Sequence, residues 1–350
     1  MAATKRTLLS GIQPSGQSHI GNYFGAMRQF VSMQKEHDCF FMIVDYHALN
    51  TIQNPKVMRE NILNLAADYL AVGLDPKKSV IFKQSDVSEH TELAWIFDTI
   101  TTVPFLERAH AYKDALANKK SDISVGLFNY PMLMAADILL YDTDVVPVGQ
   151  DQKQHVEITR DTAEKFNRIY GETFKLPEAK ILSDVAVVPG IDGRKMSKSY
   201  GNTIPLFAED AEIEKLVMKI ETDSEGPALK ARETVLLGEL HASAARGQPS
   251  SPVGLTSYHP ANVYLIHRLF KSEGELKELY EENVGKYESL KKVLIEDIKA
   301  VIKPLREKRS AVVNDISAVY EVLKEGGERA KEKASAKMRV VREKVGVKLY

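Results

Sequence analysis

The sequence predicts a doubly wound, parallel α/β sheet followed by an all-helical domain, and three observations carry that prediction. Short apolar runs alternate with helix-period stretches from Leu8 to Gln84, the pattern of parallel strands joined by crossover helices. The run Cys39-Phe40-Phe41-Met42-Ile43-Val44 is continuously apolar, as a strand covered on both faces must be. From Asp210 onward the clearest apolar patterns recur at helical spacing. A chain of 350 residues, 44% hydrophobic and 27% charged, has globular composition and length enough for two domains. The N-terminus has no apolar h-region and no run is long enough to span a bilayer, so a cytoplasmic location is expected. A single cysteine, Cys39, offers neither a disulfide framework nor a cysteine metal site and reads as core.

Taken in order, Leu8 to Gly25 is an apolar run, a Gly/Pro/Ser turn and a helix start, and residues 21–37 follow as an amphipathic helix. Unpaired N–H groups at such a helix start favour an anion, although most strand–Gly–helix turns are plain crossovers. The second strand, Cys39 to Asp45, delivers Tyr46 and His47 to its tip, where open parallel sheets bind ligands. Asn54-Pro55 caps a helix that Gly73 closes, and Ser79 to Gln84 is the third strand. Helices are expected at His90–Thr101, with Trp95 taken as core, at Pro104–Leu116 and at Val125–Tyr141. Asp144 to Gly149 reads as a strand, Gln150 to Tyr170 as a helix stopped by Gly171, and residues 185–189 as a last short strand. Asp210–Ile220, Leu265–Phe270, Leu290–Leu305 and Val312–Leu323 are the helical pieces of the C-terminal half, with Pro304 expected to kink or end one of them and a loop expected over 223–262.

Three features carry chemistry. Lys195-Met196-Ser197-Lys198-Ser199 lies among glycines, in a setting that reads as a mobile loop. Asp137 stands in an otherwise apolar helix; on the outer face it needs no explanation, whereas buried it requires a donor. Tyr130, Met134 and Asp137, at i, i+4 and i+7, share one helix face. The formal net charge is −1, yet Lys286 to Tyr350 holds 17 Lys/Arg against 10 Asp/Glu. That asymmetry suits a polyanion partner or a solvated helical surface about equally.

The blocks Ser10–Ser15, His19-Ile20-Gly21-Asn22, Tyr130–Tyr141, Val146–His155 and Lys195–Ser199 resemble those of the bacterial-type tryptophanyl-tRNA synthetase family, within the class I aminoacyl-tRNA synthetases, over nearly the whole chain. The resemblance implies a Rossmann-type catalytic domain at 1–207, a helical anticodon-binding domain at 208–350 and a homodimer. It also implies activation of tryptophan by ATP, with Mg²⁺ and no dedicated protein metal site, followed by transfer to tRNA(Trp). On the matching positions, Lys195, Lys198, His19 and Asn22 are the expected catalytic group. Gln13, Pro14, Ser15, Gly21, Asn22, Gly149, Gln150, Asp151, Val187 and Lys195 to Ser199 (Met196, Ser197 and Lys198 included) are expected to bind ATP. Asp137 is expected to accept the indole N–H, in a pocket with Leu9, His47, Tyr130, Met134, Val146, Val148 and Gln152.

The chain departs from the family pattern in places. Asn22 stands where the class pattern has histidine and cannot act as a cation, so the phosphate charge is expected to fall on the lysine loop. Residues 228–257 match the family poorly. The competing readings are a tyrosyl-tRNA synthetase, which shares both motifs, a synthetase-like binding protein without catalysis, and a nucleotidyltransferase acting on a small acid. The Asp137 and Gly149-Gln150-Asp151-Gln152 blocks favour tryptophan.

Overall fold

The computed structural model describes residues 5–109, 112–113, 116, 123–149, 152–181, 188–220, 222 and 259–349. Five strands, β1 (Thr7–Ile12), β2 (Asp38–Ile43), β3 (Ser79–Lys83), β4 (Val145–Val148) and β5 (Glu178–Ile181), form one sheet in the order β3-β2-β1-β4-β5 with every neighbouring pair parallel. The chain winds outward from β1 to one edge, then returns to build the other. That order places a crevice at the carboxyl ends of β1 and β4, where the winding reverses.

Helix α1 (Ile20–Asn22), a π-helical stretch (Tyr23–Met27) and α2 (Arg28–Met33) follow β1, where one continuous helix over 21–37 is expected from the sequence. Between β2 and β3 lie α3 (Asp45–Ala48) and α4 (Pro55–Val72), the latter capped by Asn54 and closed by Gly73 at φ +107°. Helices α5 (Glu89–Ile100), α6 (Val103–Leu106) and α7 (Val125–Leu139) precede β4, and α8 (Lys153–Tyr170) precedes β5. The C-terminal helices are α9 (Asp210–Met218), α10 (His259–His267), α11 (Glu273–Glu282), α12 (Tyr287–Asn314) and α13 (Ile316–Lys344). No helix among the described residues is long and apolar enough to cross a membrane.

Two compact units result. The first comprises residues 1–16, 31–182 and 315–350, and the second residues 17–30 and 183–314. This division differs from the 207/208 boundary expected from the sequence, because α13 packs with the sheet. Its Ala330, Ala334, Met338 and Val341 join Leu9, Phe40, Phe82, Val146, Phe97 and Phe166 in one buried core. Gly326 brings the helix so close to β3 that a Cβ there would stand 1.8 Å from the Ile81 carbonyl oxygen. An edge strand otherwise left open is thereby covered. Three basic residues of α13 make inward contacts: Lys337 pairs with Asp142 at 2.6 Å, Arg342 with Glu92, and Lys333 lies over the Phe40 ring at 4.8 Å. Part of the C-terminal positive charge thus holds the fold.

In the second unit, α9 and α12 are joined by Arg306 to Asp210 at 2.7 Å, Lys299 to Glu214 at 2.6 Å, and the Lys291 ammonium donating to the carbonyls of Met218 and Ile220. The His267 ring, fully buried, reaches Tyr280 of α11 and Asp297 of α12.

Several expectations are corrected. Trp95 is 70% exposed, because Leu93 and Phe97 occupy the inward face of α5 and a residue two places on from Leu93 lies about 200° round the helix. Pro304 sits inside α12, which continues to Asn314. Residues 259–262, expected in a loop, begin α10, while 223–258 lie outside the described residues. The last strand of the sheet is Glu178–Ile181; of the expected strand 185–189, residues 185–187 lie outside the described residues and Pro189 makes a single antiparallel bridge to Lys195. The expected helix Pro104–Leu116 is described as the short α6, with much of the remainder outside the described residues.

Candidate active site

In the first unit a buried carboxylate lies where the residues that follow β2 and β3 reach it. Asp137 is buried, 2% exposed, which overrides the outer-face reading available from sequence alone. Three groups meet it. His47 Nε2, from α3 at the tip of β2, stands 2.9 Å from Oδ2; the Gln84 amide, just past β3, donates to Oδ1 at 2.7 Å. His90 Nδ1, from α5, stands 2.6 Å from Oδ1, off the straight donor line, so charge rather than a linear hydrogen bond dominates that contact. Burial by itself raises a carboxyl pKa; His90 first, then His47, outweigh it and hold Asp137 well below the ordinary value. The group is therefore ionised at neutral pH. A carboxylate has about four lone-pair directions; His47 and Gln84 take two and the His90 ring crowds a third, which leaves room for a further donor.

Of the predicted pocket residues, His47 contacts it directly. Leu9, Val146 and Val148 belong to the same buried cluster, with Met134 packed against it. Tyr130 meets His47 edge to face at 6.1 Å, and its hydroxyl is 2.8 Å from His155 Nε2. Gln152 is exposed and caps α8, its N–H donating to the Gly149 carbonyl. Gln13 and Ser15 are exposed beyond the end of β1, Pro14 between them is buried, and Gly149 is exposed at the end of β4. Gln150, Asp151 and Val187 lie outside the described residues.

The second unit contains both signature segments, and they pack together. The Ile20 N–H donates to the Ile204 carbonyl at 3.0 Å, and the Leu206 N–H to that of Ser18 at 2.9 Å. His19 pairs with Pro205 in an antiparallel bridge, and a Cβ on Gly21 would stand 3.4 Å from Met196 Sδ. Asn22 closes the turn as a cap, its Oδ1 accepting from the His19 N–H at 3.1 Å. His19 is buried, and burial first, then the Lys198 charge, lower its pKa to about 4. The ring is neutral at physiological pH, so it supplies no cation.

In the lysine loop, Lys195, Lys198 and Ser199 are exposed, Met196 is buried as its anchor, and the Ser197 and Ser199 hydroxyls are 2.8 Å apart. Asn202, also buried, organises the loop: its amide donates to Asp192 at 2.7 Å and to the Lys195 carbonyl at 3.1 Å, while its Oδ1 accepts from the Ser197 N–H at 2.8 Å. Among the described residues there is no group of three or more His, Cys, Asp or Glu side chains placed to hold a metal ion.

Sequence reasoning missed Gln84, His90 and Asn202. Gln84 was open to discovery, because it directly follows a strand at the carboxyl edge of a parallel sheet. Nothing local marks His90, which reaches Asp137 only through the packing of α5 on α7.

Residues 1–303 match the family of class I tRNA synthetases for tryptophan and tyrosine (W and Y). The chain is 46% identical over 340 residues to a tryptophan–tRNA ligase of Fusobacterium nucleatum, spanning 97% of each chain, and 42% identical to that of Rhodopirellula baltica, spanning 97% of this chain and 99% of the relative. Its fold superimposes on a tryptophanyl-tRNA synthetase of Campylobacter jejuni complexed with ADP and tryptophan, with a TM-score of 0.81 at 43% identity over 97% of this chain and 99% of that one.

Proposed function

The chain belongs to the class I tRNA synthetases for tryptophan and tyrosine, and from that membership we propose that it ligates tryptophan to its tRNA. It activates L-tryptophan with ATP, giving tryptophanyl-adenylate and pyrophosphate, and then transfers the tryptophanyl group to tRNA(Trp). The observation that carries the choice of tryptophan is the ionised, buried Asp137 with an acceptor direction left, on a helix whose neighbouring residues belong to the apolar core. An indole N–H completes that set. A phenyl ring leaves the carboxylate unpaired, which is the kind of mismatch that a hydrogen-bonding site rejects strongly.

In the first step a tryptophan carboxylate oxygen forms a bond to the α-phosphorus as the bond from that phosphorus to the bridging oxygen of pyrophosphate breaks. No covalent enzyme intermediate is needed; alignment and charge stabilisation suffice. Lys195 and Lys198 take the β- and γ-phosphates, with Ser197 and Ser199 assisting. Gln13, Pro14, Ser15, Gly21, Asn22, Gly149, Gln150, Asp151 and Val187 hold the nucleotide. Mg²⁺ arrives with ATP, bound by the phosphate oxygens that hard cations favour. Leu9, His47, Tyr130, Met134, Val146, Val148 and Gln152 shape the amino-acid pocket. His19 acts through shape, being neutral.

The active form is a cytoplasmic homodimer. Supporting this is an apolar face on the first unit, where Trp95 and Leu49 are exposed beside a groove of about 380 Å³ also lined by Tyr130 and Leu133. ATP–pyrophosphate exchange tests the substrate: tryptophan should stimulate it and tyrosine should not. Exchange with tyrosine alone would sink the proposal, and failure to charge tRNA would favour a non-catalytic relative.

A further inference from the structure

We infer that His90, backed by Tyr141, is the positioning residue that fixes the Asp137 carboxylate toward a ring N–H, and so sets the preference for an indole over a ring of equal shape without that donor. The inference rests on the tryptophan reading of Asp137 given above.

His90 does not face the pocket; it stands behind it. The side chain is completely buried, Nδ1 lies 2.6 Å from Asp137 Oδ1, and Nε2 lies 2.9 Å from the Tyr141 hydroxyl. Phe82 stacks on the ring at 6.3 Å with planes 24° apart, and the Tyr141 ring is 5.6 Å away, so the imidazole packs in one cluster with two aromatic rings that also touch each other. A carboxylate against Nδ1 requires the proton there. With that proton in place, Nε2 either accepts from the Tyr141 O–H or donates to it, and in both forms Nδ1 stays against Asp137 Oδ1 as a charge contact off the straight donor line. Burial first, then Asp137 and Glu89, push the ionisation of Tyr141 far up, so its hydroxyl stays a neutral partner.

The other two restraints on Asp137 are not independent of each other. Gln84 Oε1 accepts from the N–H groups of Tyr46 and His47, so Gln84, carried by the end of β3, is tied to the short helix α3 that carries His47. His90 comes from α5, in the packed core. It reaches Asp137 from a different element than α3. The ionisable groups around it are Asp137 and Tyr141 from α7 and its end, His47 from α3, and Glu89 from α5, the last hydrogen-bonded to Ser335 of α13.

Two amide substitutions separate the ring's two nitrogens. His90→Asn puts an amide N–H near the place of Nδ1, and His90→Gln near that of Nε2. With the full-length protein, exchange is measured using L-tryptophan and L-3-benzothienylalanine, in which sulfur replaces the ring N–H. The wild type and His90→Asn should prefer tryptophan to similar degrees. His90→Gln should lose roughly tenfold or more of that preference, chiefly through a raised KM for tryptophan with a much smaller change in kcat. Tyr141→Phe, which removes only the hydroxyl behind the ring, is a milder second variant expected to shift in the same direction. Undiminished preference in His90→Gln, alongside a lost preference in Asp137→Asn, overturns the role of His90. An undiminished preference in Asp137→Asn overturns the reading of Asp137 itself, and the positioning role with it.

Discussion

At the scale of single residues, position in the fold changes what a side chain can do. His19 is the tempting catalytic group of the N-terminal motif, yet burial and Lys198 bring its pKa to about 4. Its unfolded value is about 6.5, so the unfolded chain binds the proton more readily between these limits. The contribution of neutral His19 to stability is therefore complete above about pH 6.5 and declines as pH falls toward 4. Urea unfolding at about pH 7.5 and about pH 5 should show a wild-type loss that is reduced in His19→Asn; equal losses would place the acid sensitivity elsewhere. Lys198 is the opposite case, an exposed cation at the loop tip. Lys198→Ala should lower adenylate formation by roughly a hundredfold or more with little change in tryptophan affinity, since the role proposed for its charge is on the leaving phosphates. Pre-steady-state adenylate formation beside tryptophan titration checks this, and equal losses in both would contradict it. Asp137→Ala should erase at least about a hundredfold of the preference for tryptophan over phenylalanine, read from exchange kinetics.

At the scale of elements, strongly patterned segments were legible and weakly patterned ones were not. β1, β2 and β3 are nearly continuous apolar runs, and Asn54, Gly73 and Gly171 marked helix ends that the structure keeps. The strand Glu178-Ala179-Lys180-Ile181 escaped because it pairs with β4 on one side only, and its alternation of exposed and half-buried residues is too short to declare itself. Trp95 was misjudged since hydrophobicity says nothing about which face of α5 turns inward. Asn202 was hidden for another reason: its role is to cross-link backbone within the lysine loop, and such bonds leave no periodic trace. The contact of α13 with β3 makes a sharp prediction. Gly326→Ala forces the helix away from the Ile81 carbonyl and should destabilise the protein by about 3 kcal/mol, with a clear fall in thermal midpoint. An unchanged midpoint would mean that the helix yields without cost.

At the scale of the whole molecule, sequence order and spatial order part company. The last helix returns to the sheet that the first strand began, so removing residues after 315 strips the cover from β3 and part of the core rather than trimming a separate C-terminal domain. The exposed face around Trp95 is the one proposed above as the dimer interface. Trp95→Glu should shift sedimentation toward the monomer, while a dimer of unchanged stability would move the interface off this face. The sequence by itself determined the α/β class, the helical C-terminal half and the two signature segments, because periodicity and motif chemistry are local properties. Only the tertiary structure decided that Asp137 is buried and ionised, that His90 and Gln84 hold it, and that the Gly21 turn meets the Met196 loop. Those contacts join residues far apart in the chain, and burial, which sets their charge states, exists only once the elements have packed.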